Sequence, residues 1–389
     1  MTGNTFGRLF RITACGESYG CTQDANGERY GGALAVICDG VPAGLDLSRD
    51  EIQAELDRRR PGTSPIDSPR LESDQCEIFA GIFEGKTTGA PVGILIRNVD
   101  TEDIHIQQYR SVKDIIRPGH AEYTYRMKYD DYADWCGAGR ASGRETCVRV
   151  AAGALAKKIL ARDGIEIVGY VKQLQDIKCP DMPFDQIKAH RDDNEIRCPD
   201  AATAEKMIER ALEVKAEGDT IGGVVEVIAN NVPPALGEPV FDKLDADIAK
   251  AILSIPAVKG VEFGTGFGLA ELKGSEANDI PYMDGDVIRF RSNHSGGVDG
   301  GISNGEPLVV RLVVKPTSTI SIDQDSVDMT TGEPSEFAAT TRRDAQICGR
   351  AVPVAEAMIA VTLLDHLMIW RGYDAVSKVE HTVPWRPQD

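Results

Sequence analysis

The chain lacks several things, and each absence removes a class of function. Its nine cysteines are odd in number and scattered, with no Cys-x-x-Cys pair and no paired Cys/His spacing. That layout fits reduced thiols in a cytoplasm better than a disulfide framework or structural zinc, and no metal site is expected. No apolar run approaches the ~18 residues a membrane helix needs. The start, Met1-Thr2-Gly3-Asn4-Thr5, lacks the basic-then-apolar layout of a signal peptide. Positive charge is short too, with a formal net charge of −18. A nucleic-acid binder would carry a basic face, so neither nucleic acid nor membrane is expected as a partner. What is there, 389 residues at 42% hydrophobic and 27% charged, is ordinary for a soluble enzyme of one large domain or two moderate ones.

Against that acidic background the arginines cluster: Arg58-Arg59-Arg60, Arg117, Arg140 with Arg144, Arg342-Arg343, and Arg350. Basic clusters on an acidic protein suggest focusing of a small anionic ligand. The alternative is a surface on which they pair with the abundant acids. The stretch from Arg117 to Gly164 organises the rest. It offers His120 behind an Arg-Pro-Gly turn, then a glycine-broken loop, Gly137-Ala138-Gly139-Arg140, that opens into a helix. Ser142 and Glu145 make a Ser-x-x-Glu capping box, which predicts a helix from Gly143. Val148, Ala152, Leu155 and Ile159 follow at helical spacing, and Gly164 sits at the C-cap. Such a helix N-terminus presents unpaired N–H groups, a positive dipole end and guanidinium donors, which together make an anion site. A capped surface helix with solvated arginines is the plainer reading.

Along the chain, Phe6 to Ile12 alternates as a strand, Ala33 to Cys38 forms another, and Ser48 with Glu51 caps a helix ending at Arg58-Arg59-Arg60. Cations suit a helix C-terminus, so a structural account of this triplet stands beside the ligand-binding one. Ile78 to Arg97 reads as a hairpin. Its turn, Gly85-Lys86-Thr87, is no P-loop, because Ala80 occupies the place of the first glycine. The segment Gly222-Gly223 to Val232-Pro233 echoes Gly31-Gly32 to Val41-Pro42 at identical spacing. A helix follows each copy, the second over Phe241 to Leu253, which suggests internal duplication. Ala201 to Ala216 is an amphipathic helix with Met207, Ala211 and Val214 inward. Lys315-Pro316-Thr317-Ser318-Thr319 puts a lysine and hydroxyls where a strand leaves its sheet, a pattern able to bind phosphate or ribityl oxygens. After Arg342-Arg343-Asp344 comes a strongly apolar helix with Pro353 near its first turn, read as core. From Tyr373 onward the tail is polar and expected to be mobile.

Several stretches together are specific. Gly-Asn-Thr-Phe-Gly, Gly-Glu-Ser-Tyr-Gly, Asp-Gly-Val-Pro, Asp-Arg-Arg-Arg-Pro-Gly, Arg-Pro-Gly-His-Ala-Glu-Tyr-Thr-Tyr, Gly-Arg-Ala-Ser-Gly-Arg-Glu-Thr, Ser-Asn-His-Ser-Gly-Gly and Lys-Pro-Thr-Ser-Thr-Ile occur in that order. The pattern resembles the chorismate synthase family over roughly Thr2 to Tyr373. The resemblance implies an α+β fold, internally duplicated, with helices packed between antiparallel sheets. It implies one domain with pseudo-repeats of about 1–200 and 201–375, and a flexible tail over 376–389. The implied activity is that of a cytoplasmic, homotetrameric shikimate-pathway lyase of aromatic amino acid biosynthesis. Such enzymes use reduced FMN (FMNH2) to remove phosphate and a C6 proton from 5-enolpyruvylshikimate 3-phosphate by anti-1,4-elimination. The flavin would be reduced by an intrinsic NADPH-dependent activity or by an external source.

By the same resemblance FMN would lie against Arg140, Ala141, Ser142, Pro256, Ala257, Gly300, Lys315, Pro316, Thr317, Ser318, Thr319 and Arg342. The phosphorylated substrate would be gripped by Arg59 with Arg58 and Arg60, helped by Arg117 and Arg144, since guanidinium forks suit phosphate and carboxylate. His120 would stand near the flavin and stabilise or protonate its reduced form. Asp344 would relay the C6 proton.

The resemblance breaks at the phosphate end. The family's Gly-Glu-Ser motif usually ends in His-Gly, and that histidine has the role of protonating the departing phosphate. Here the position is Tyr19. A phenol with a pKa near ~10 stays neutral at pH 7, so it can donate a hydrogen bond but cannot offer an imidazolium. Pro65 stands where many relatives have arginine, Ala141 replaces serine, Arg343 replaces histidine or a small residue, and Cys21 to Tyr30 is an insertion. Three readings stay open. The first is a working chorismate synthase, with Tyr19 catalytic or Arg343 replacing the lost cation. The second is a divergent flavin-dependent lyase of a specialised pathway acting on a related cyclohexene substrate. The third is a non-catalytic flavin-binding paralogue, against which the retained Asp344 argues.

Overall fold

The computed structural model describes residues 3–17, 22–23, 29–30, 32–62, 64–68, 72–99, 103–339, 344–377 and 385. Two five-stranded sheets frame the molecule. The first runs, in spatial order, Thr5–Phe6, Arg11–Cys15, Ala33–Asp39, Val92–Arg97 and Cys76–Ala80. The second runs Ile177–Lys178, Glu166–Leu174, Gly223–Asn230, Leu308–Val314 and Val258–Phe263. Every pairing in both is antiparallel. The two echoed segments supply the central strand of one sheet each, and a helix follows both, Arg49–Arg59 and Leu244–Leu253. Period-two alternation explains their placement: Leu34, Val36 and Cys38 turn inward in the first, Val225, Val227 and Ala229 in the second. The second helix is shorter than its pattern predicted, since Phe241 is 91% exposed and lies outside it.

Helices fill the space between the sheets, so the fold is α+β as expected. Thr146–Leu160 lies on the first sheet, Cys348–Ser377 on the second, and the two helices pack on each other. They cross so closely that a Cβ at Gly153 would sit 2.2 Å from the Cβ of Ala357, and only glycine fits. Cys348–Ser377 is long and apolar enough to cross a membrane, yet 89% of its apolar window is buried in this core. It starts at Cys348, so Pro353 lies in the second turn. It also runs to Ser377, so the expected polar tail is still helical over Tyr373 to Ser377. Beyond that only Trp385 is described, and its indole N–H donates to the Gly305 carbonyl at 3.3 Å.

Three local expectations give way to tertiary partners. The strand expected over Phe6 to Ile12 is broken, because the Asp365 carboxylate accepts the backbone N–H groups of Arg8, Leu9 and Phe10 at 2.9, 2.6 and 3.1 Å. The Ser142/Glu145 capping box does not close. Ser142 Oγ accepts from the Arg144 N–H at 3.2 Å, and the Glu145 carboxylate turns to Arg149 at 3.0 Å. The first turn, Gly143–Glu145, is therefore 3-10, and the α-helix proper begins at Thr146. The Ile78 to Arg97 hairpin is elaborated by a small ribbon, Ile82–Phe83 with Lys86–Thr87, and Lys86 pairs with Asp46 at 2.6 Å. By contrast the Ser48 cap forms in full, with Glu51 reaching back to it. Of the inserted Cys21 to Tyr30, Thr22–Gln23 and Arg29–Tyr30 pair as a short antiparallel ribbon.

Candidate functional site

A cavity of about 1360 Å³ opens where the Arg117 to Arg149 stretch meets the ends of the second sheet and the start of the core helix. The glycine-broken loop builds one wall. Gly137, Ala138 and Gly139 all have positive φ (61°, 67° and 50°), a left-handed run that a chain without glycines would not sustain. That run turns Arg140, Ala141 and Ser142 to the cavity. Arg140 has no hydrogen-bond or ion-pair partner among the described residues, so its guanidinium is uncommitted.

The opposite wall is the strand exit, where Lys315 to Thr319 face Pro256 and Ala257 across the opening. Lys315 Nζ donates to the Gly119 carbonyl at 2.8 Å. Burial and the neighbouring Lys259 lower its pKa. Arg117 links the two sides, donating to Thr319 Oγ1 at 3.0 Å and to Glu122 at 2.7 Å, while its Nε is buried without a partner. His120 sits between these cations. Burial first, then Arg117 and Lys315, push its pKa down to about 3, and its buried Nδ1 makes no hydrogen bond. Burial also raises the Glu122 carboxyl, against the pull of Arg117. Asp344 Oδ1 accepts the Ser68 N–H at 2.9 Å and Arg350 at 3.1 Å, which fixes its carboxylate on the wall.

Arg59 and Arg144 line the same cavity, but each is already held from beneath. Asp74 takes one arm of Arg59 at 2.7 Å and one arm of Arg144. Arg59 also donates to Thr146 Oγ1 at 3.2 Å and to the Gly143 carbonyl at 2.9 Å. Arg144 reaches Glu72 at 2.6 Å and Asn98 at 3.1 Å. Burial pushes the Asp74 carboxyl up, but the two guanidiniums outweigh it and the net shift is down.

Not every expected residue meets the cavity. Arg58 points into the core, to Glu356 at 2.6 Å. Arg60 is half-exposed beside Asp57 at 3.7 Å, and Gly300 caps the turn between Val298–Asp299 and Ile302–Ser303; neither lines the cavity. Tyr19 and Arg342, with Arg343, lie outside the described residues. Sequence reasoning missed Glu72, Asp74, Asn98 and Lys259, as well as His105, Tyr109 and Asp134 on the remaining wall. A Glu-x-Asp pair at 72 and 74, inward on an otherwise polar stretch, was the available signal for the buried clamp.

The donor set fits a phosphorylated flavin. The uncommitted Arg140, Lys315 and the hydroxyls of Ser142, Thr317, Ser318 and Thr319 suit a phosphate and a polyol, and apolar lining from Pro256, Ala257, Ile347 and Val354 suits a flat ring. The Nδ1 of His120 is a buried polar atom with Glu122 Oε2 3.8 Å away but no hydrogen bond, so a ligand group can supply one.

Comparison with known proteins points the same way. A family model described as chorismate synthase matches residues 22–368. The chain is 52% identical to the chorismate synthase of Acetivibrio thermocellus over 385 residues, 97% of this chain and 98% of that one. It is 51% identical to that of Synechocystis sp. over 372 residues, 94% and 97% of the two chains. For Methanococcoides burtonii the identity is 49% over 368 residues, 95% and 96%. A solved crystal structure of chorismate synthase superposes with a TM-score of 0.73 at 32% identity, covering 94% of each chain.

Proposed function

This chain belongs to the chorismate synthase family, and from that premise we propose that it converts 5-enolpyruvylshikimate 3-phosphate to chorismate by anti-1,4-elimination of phosphate, with reduced FMN as cofactor. It is a carbon–oxygen lyase acting on a phosphorylated substrate. The observation that carries the reading is the convergence of three separate stretches, Arg117 with His120, Lys315, and Asp344, on one cavity.

Arg140, Ser142, Lys315 and the hydroxyls of Thr317 to Thr319 would hold the flavin, with Pro256 and Ala257 against its ring. When bound, the reduced flavin supplies electron density that loosens the allylic C–O bond. The chain's own residues bind, orient and move protons. Arg117, Arg59 and Arg144 meet the substrate's phosphate and carboxylates, and the last two arrive pre-aligned because Asp74 has fixed their planes. Asp344, oriented by Arg350 and the Ser68 N–H, accepts the C6 proton in relay. His120 is neutral without ligand, and an anion bound beside it restores the charge balance that lets it take a proton.

On the same reading the chain is one domain built twice over, about 1–200 and 201–375, assembled as a cytoplasmic homotetramer, with its flavin reduced by NADPH-dependent activity or externally. The test is complementation. Expression in cells lacking chorismate synthase should restore growth without aromatic supplements, and Asp344→Ala should not, although it still binds FMN. Soluble wild-type protein that fails to restore growth would refute the assignment.

A further inference from the structure

We propose that Lys215, which lies outside the cavity, is a positioning residue that aims Asp344 through a single peptide group, an assignment that rests on the function proposed above. Its ammonium donates to the Pro65 carbonyl at 2.6 Å and to the Asp67 carbonyl at 2.8 Å. The Asp67 carbonyl and the Ser68 N–H are the two ends of one planar peptide unit. That N–H is the one that donates to Asp344 Oδ1 at 2.9 Å. Lys215, the peptide and Asp344 therefore form one continuous hydrogen-bonded chain from a cation to a carboxylate.

The order of charges along that chain gives it a use. A cation on the peptide oxygen polarises the whole group, so the N–H at its other end becomes a stronger donor. Because the unit is planar, holding its oxygen also fixes the direction of its N–H. Arg350 donates to the same Oδ1 at 3.1 Å. With Oδ1 held twice, Oδ2 has no hydrogen-bond partner among the described residues and is the oxygen left to take the C6 proton. In that step the proton passes from C6 to Oδ2. The C–H electron pair joins the ring double bonds, and the C–O pair leaves with the phosphate. A turned carboxylate would misplace Oδ2, and ~1 Å of misplacement costs about 100-fold in rate.

The plainer account of Lys215 is a cation suited to a helix C-terminus, since it lies in the last turn of Ala201–Glu217. The two loop carbonyls it holds, though, lie 150 and 148 residues away in sequence. The same helix end also holds the Asp344 stretch from behind. Gly218 caps the helix in the left-handed conformation, and three residues on the Ile221 N–H donates to the Ala345 carbonyl at 2.9 Å. Thr220 Oγ1 donates to the Thr317 carbonyl at 2.7 Å, and Thr317 Oγ1 donates to the Asp344 carbonyl at 3.1 Å. One rigid element thus sets the backbone at Asp344 and, through Lys215, the loop that aims its side chain. Ile66 is fully buried and the Asp67 N–H donates to the Ser64 carbonyl at 3.1 Å, which keeps the loop in place. Lys215 holds the peptide that meets Asp344.

The experiment compares wild type, Lys215→Met and Lys215→Arg. Without ligand, Lys215→Met should quicken hydrogen exchange at the Ser68 amide about tenfold, the worth of one charge-assisted bond. Under anaerobic conditions with photoreduced FMN and 5-enolpyruvylshikimate 3-phosphate, its kcat should fall about 10- to 100-fold, with KM and FMN affinity within about twofold. With substrate deuterated at C6 the isotope effect on kcat should rise, because removal of that proton has become the slower step. Lys215→Arg keeps a cation with donors for both carbonyls and should stay within about threefold of wild type, a rescue that lost helix packing would not give. Unchanged exchange at Ser68 or unchanged kcat in Lys215→Met overturns the assignment. So does a kcat loss with no rise in the isotope effect, one matched by weaker FMN and substrate binding, or Lys215→Arg as slow as Lys215→Met. Absent turnover in the wild type would refute the proposed function itself and take this assignment with it.

Discussion

Glu356 and the Arg117–Lys315 corner both concentrate charge where water is scarce, and they balance it in opposite ways. Glu356 is fully buried in the core helix. It receives Arg58 at 2.6 Å, Lys157 at 2.5 Å, Arg191 and the Gly169 N–H at 2.8 Å. Burial pushes its carboxyl up, but Lys157, Arg58 and Arg191 outweigh that and hold it well below the usual carboxylate range. That cluster is closed, with every charge answered from within the chain. In the corner, Arg117, Lys315 and the uncommitted Arg140 stand with one half-buried carboxyl, Glu122, paired to Arg117, and a histidine held neutral. The cations there outnumber their partners, which is the state a protein adopts where an anion is to come. Adjacent residues divide along this line: Arg58 belongs to the closed cluster and Arg59 to the cavity.

Breaking the closed cluster should have the largest effect on folding. Glu356→Ala leaves three half-buried cations with only Glu55 and Asp192 to answer them and should remove about 3–5 kcal/mol of stability, read as a lower denaturant midpoint. An unchanged midpoint would mean that the cations find other partners and that the cluster is not closed. Removing a cation from the open corner should do the reverse. Lys315→Ala should weaken FMN about 10- to 100-fold, the worth of one charge-assisted hydrogen bond, and leave the midpoint almost unmoved. A large stability loss with intact FMN affinity would place Lys315 with the structural charges.

The effect that is smallest at neutral pH, and emerges only on acidification, is in the pH dependence of stability. An ordinary histidine titrates near 6.5, and His120 is pushed down to about 3 in the fold. Between those values the unfolded chain binds the extra proton, so stability falls as pH falls through that window and is unaffected above it. His120→Gln should flatten the slope by up to about 1.4 kcal/mol per pH unit there. His366, also lowered by burial, keeps part of the slope in the variant. An unchanged slope would contradict the burial of His120 among cations.

Local chemistry made much of this legible in sequence. The Ser48 cap, the left-handed arginine loop, the lysine–hydroxyl strand exit and the central echoed strands are each written in neighbouring residues. What stayed hidden depends on residues distant in the chain. Nothing near Arg58 tells it apart from Arg59; Glu356 and Asp74 decide between them. The broken first strand is set by Asp365, and the open capping box by Arg149, which draws Glu145 away. His105 carried no motif at all, and only the packing of its helix beside Cys136 brings it to the cavity.

The most direct measurement is anaerobic turnover: purified protein, photoreduced FMN and 5-enolpyruvylshikimate 3-phosphate, followed by phosphate release and chorismate absorbance. The open cavity predicts stoichiometric phosphate and chorismate at an ordinary enzymatic rate, on the order of 1 per second or more. Tight flavin binding with neither product formed would contradict it.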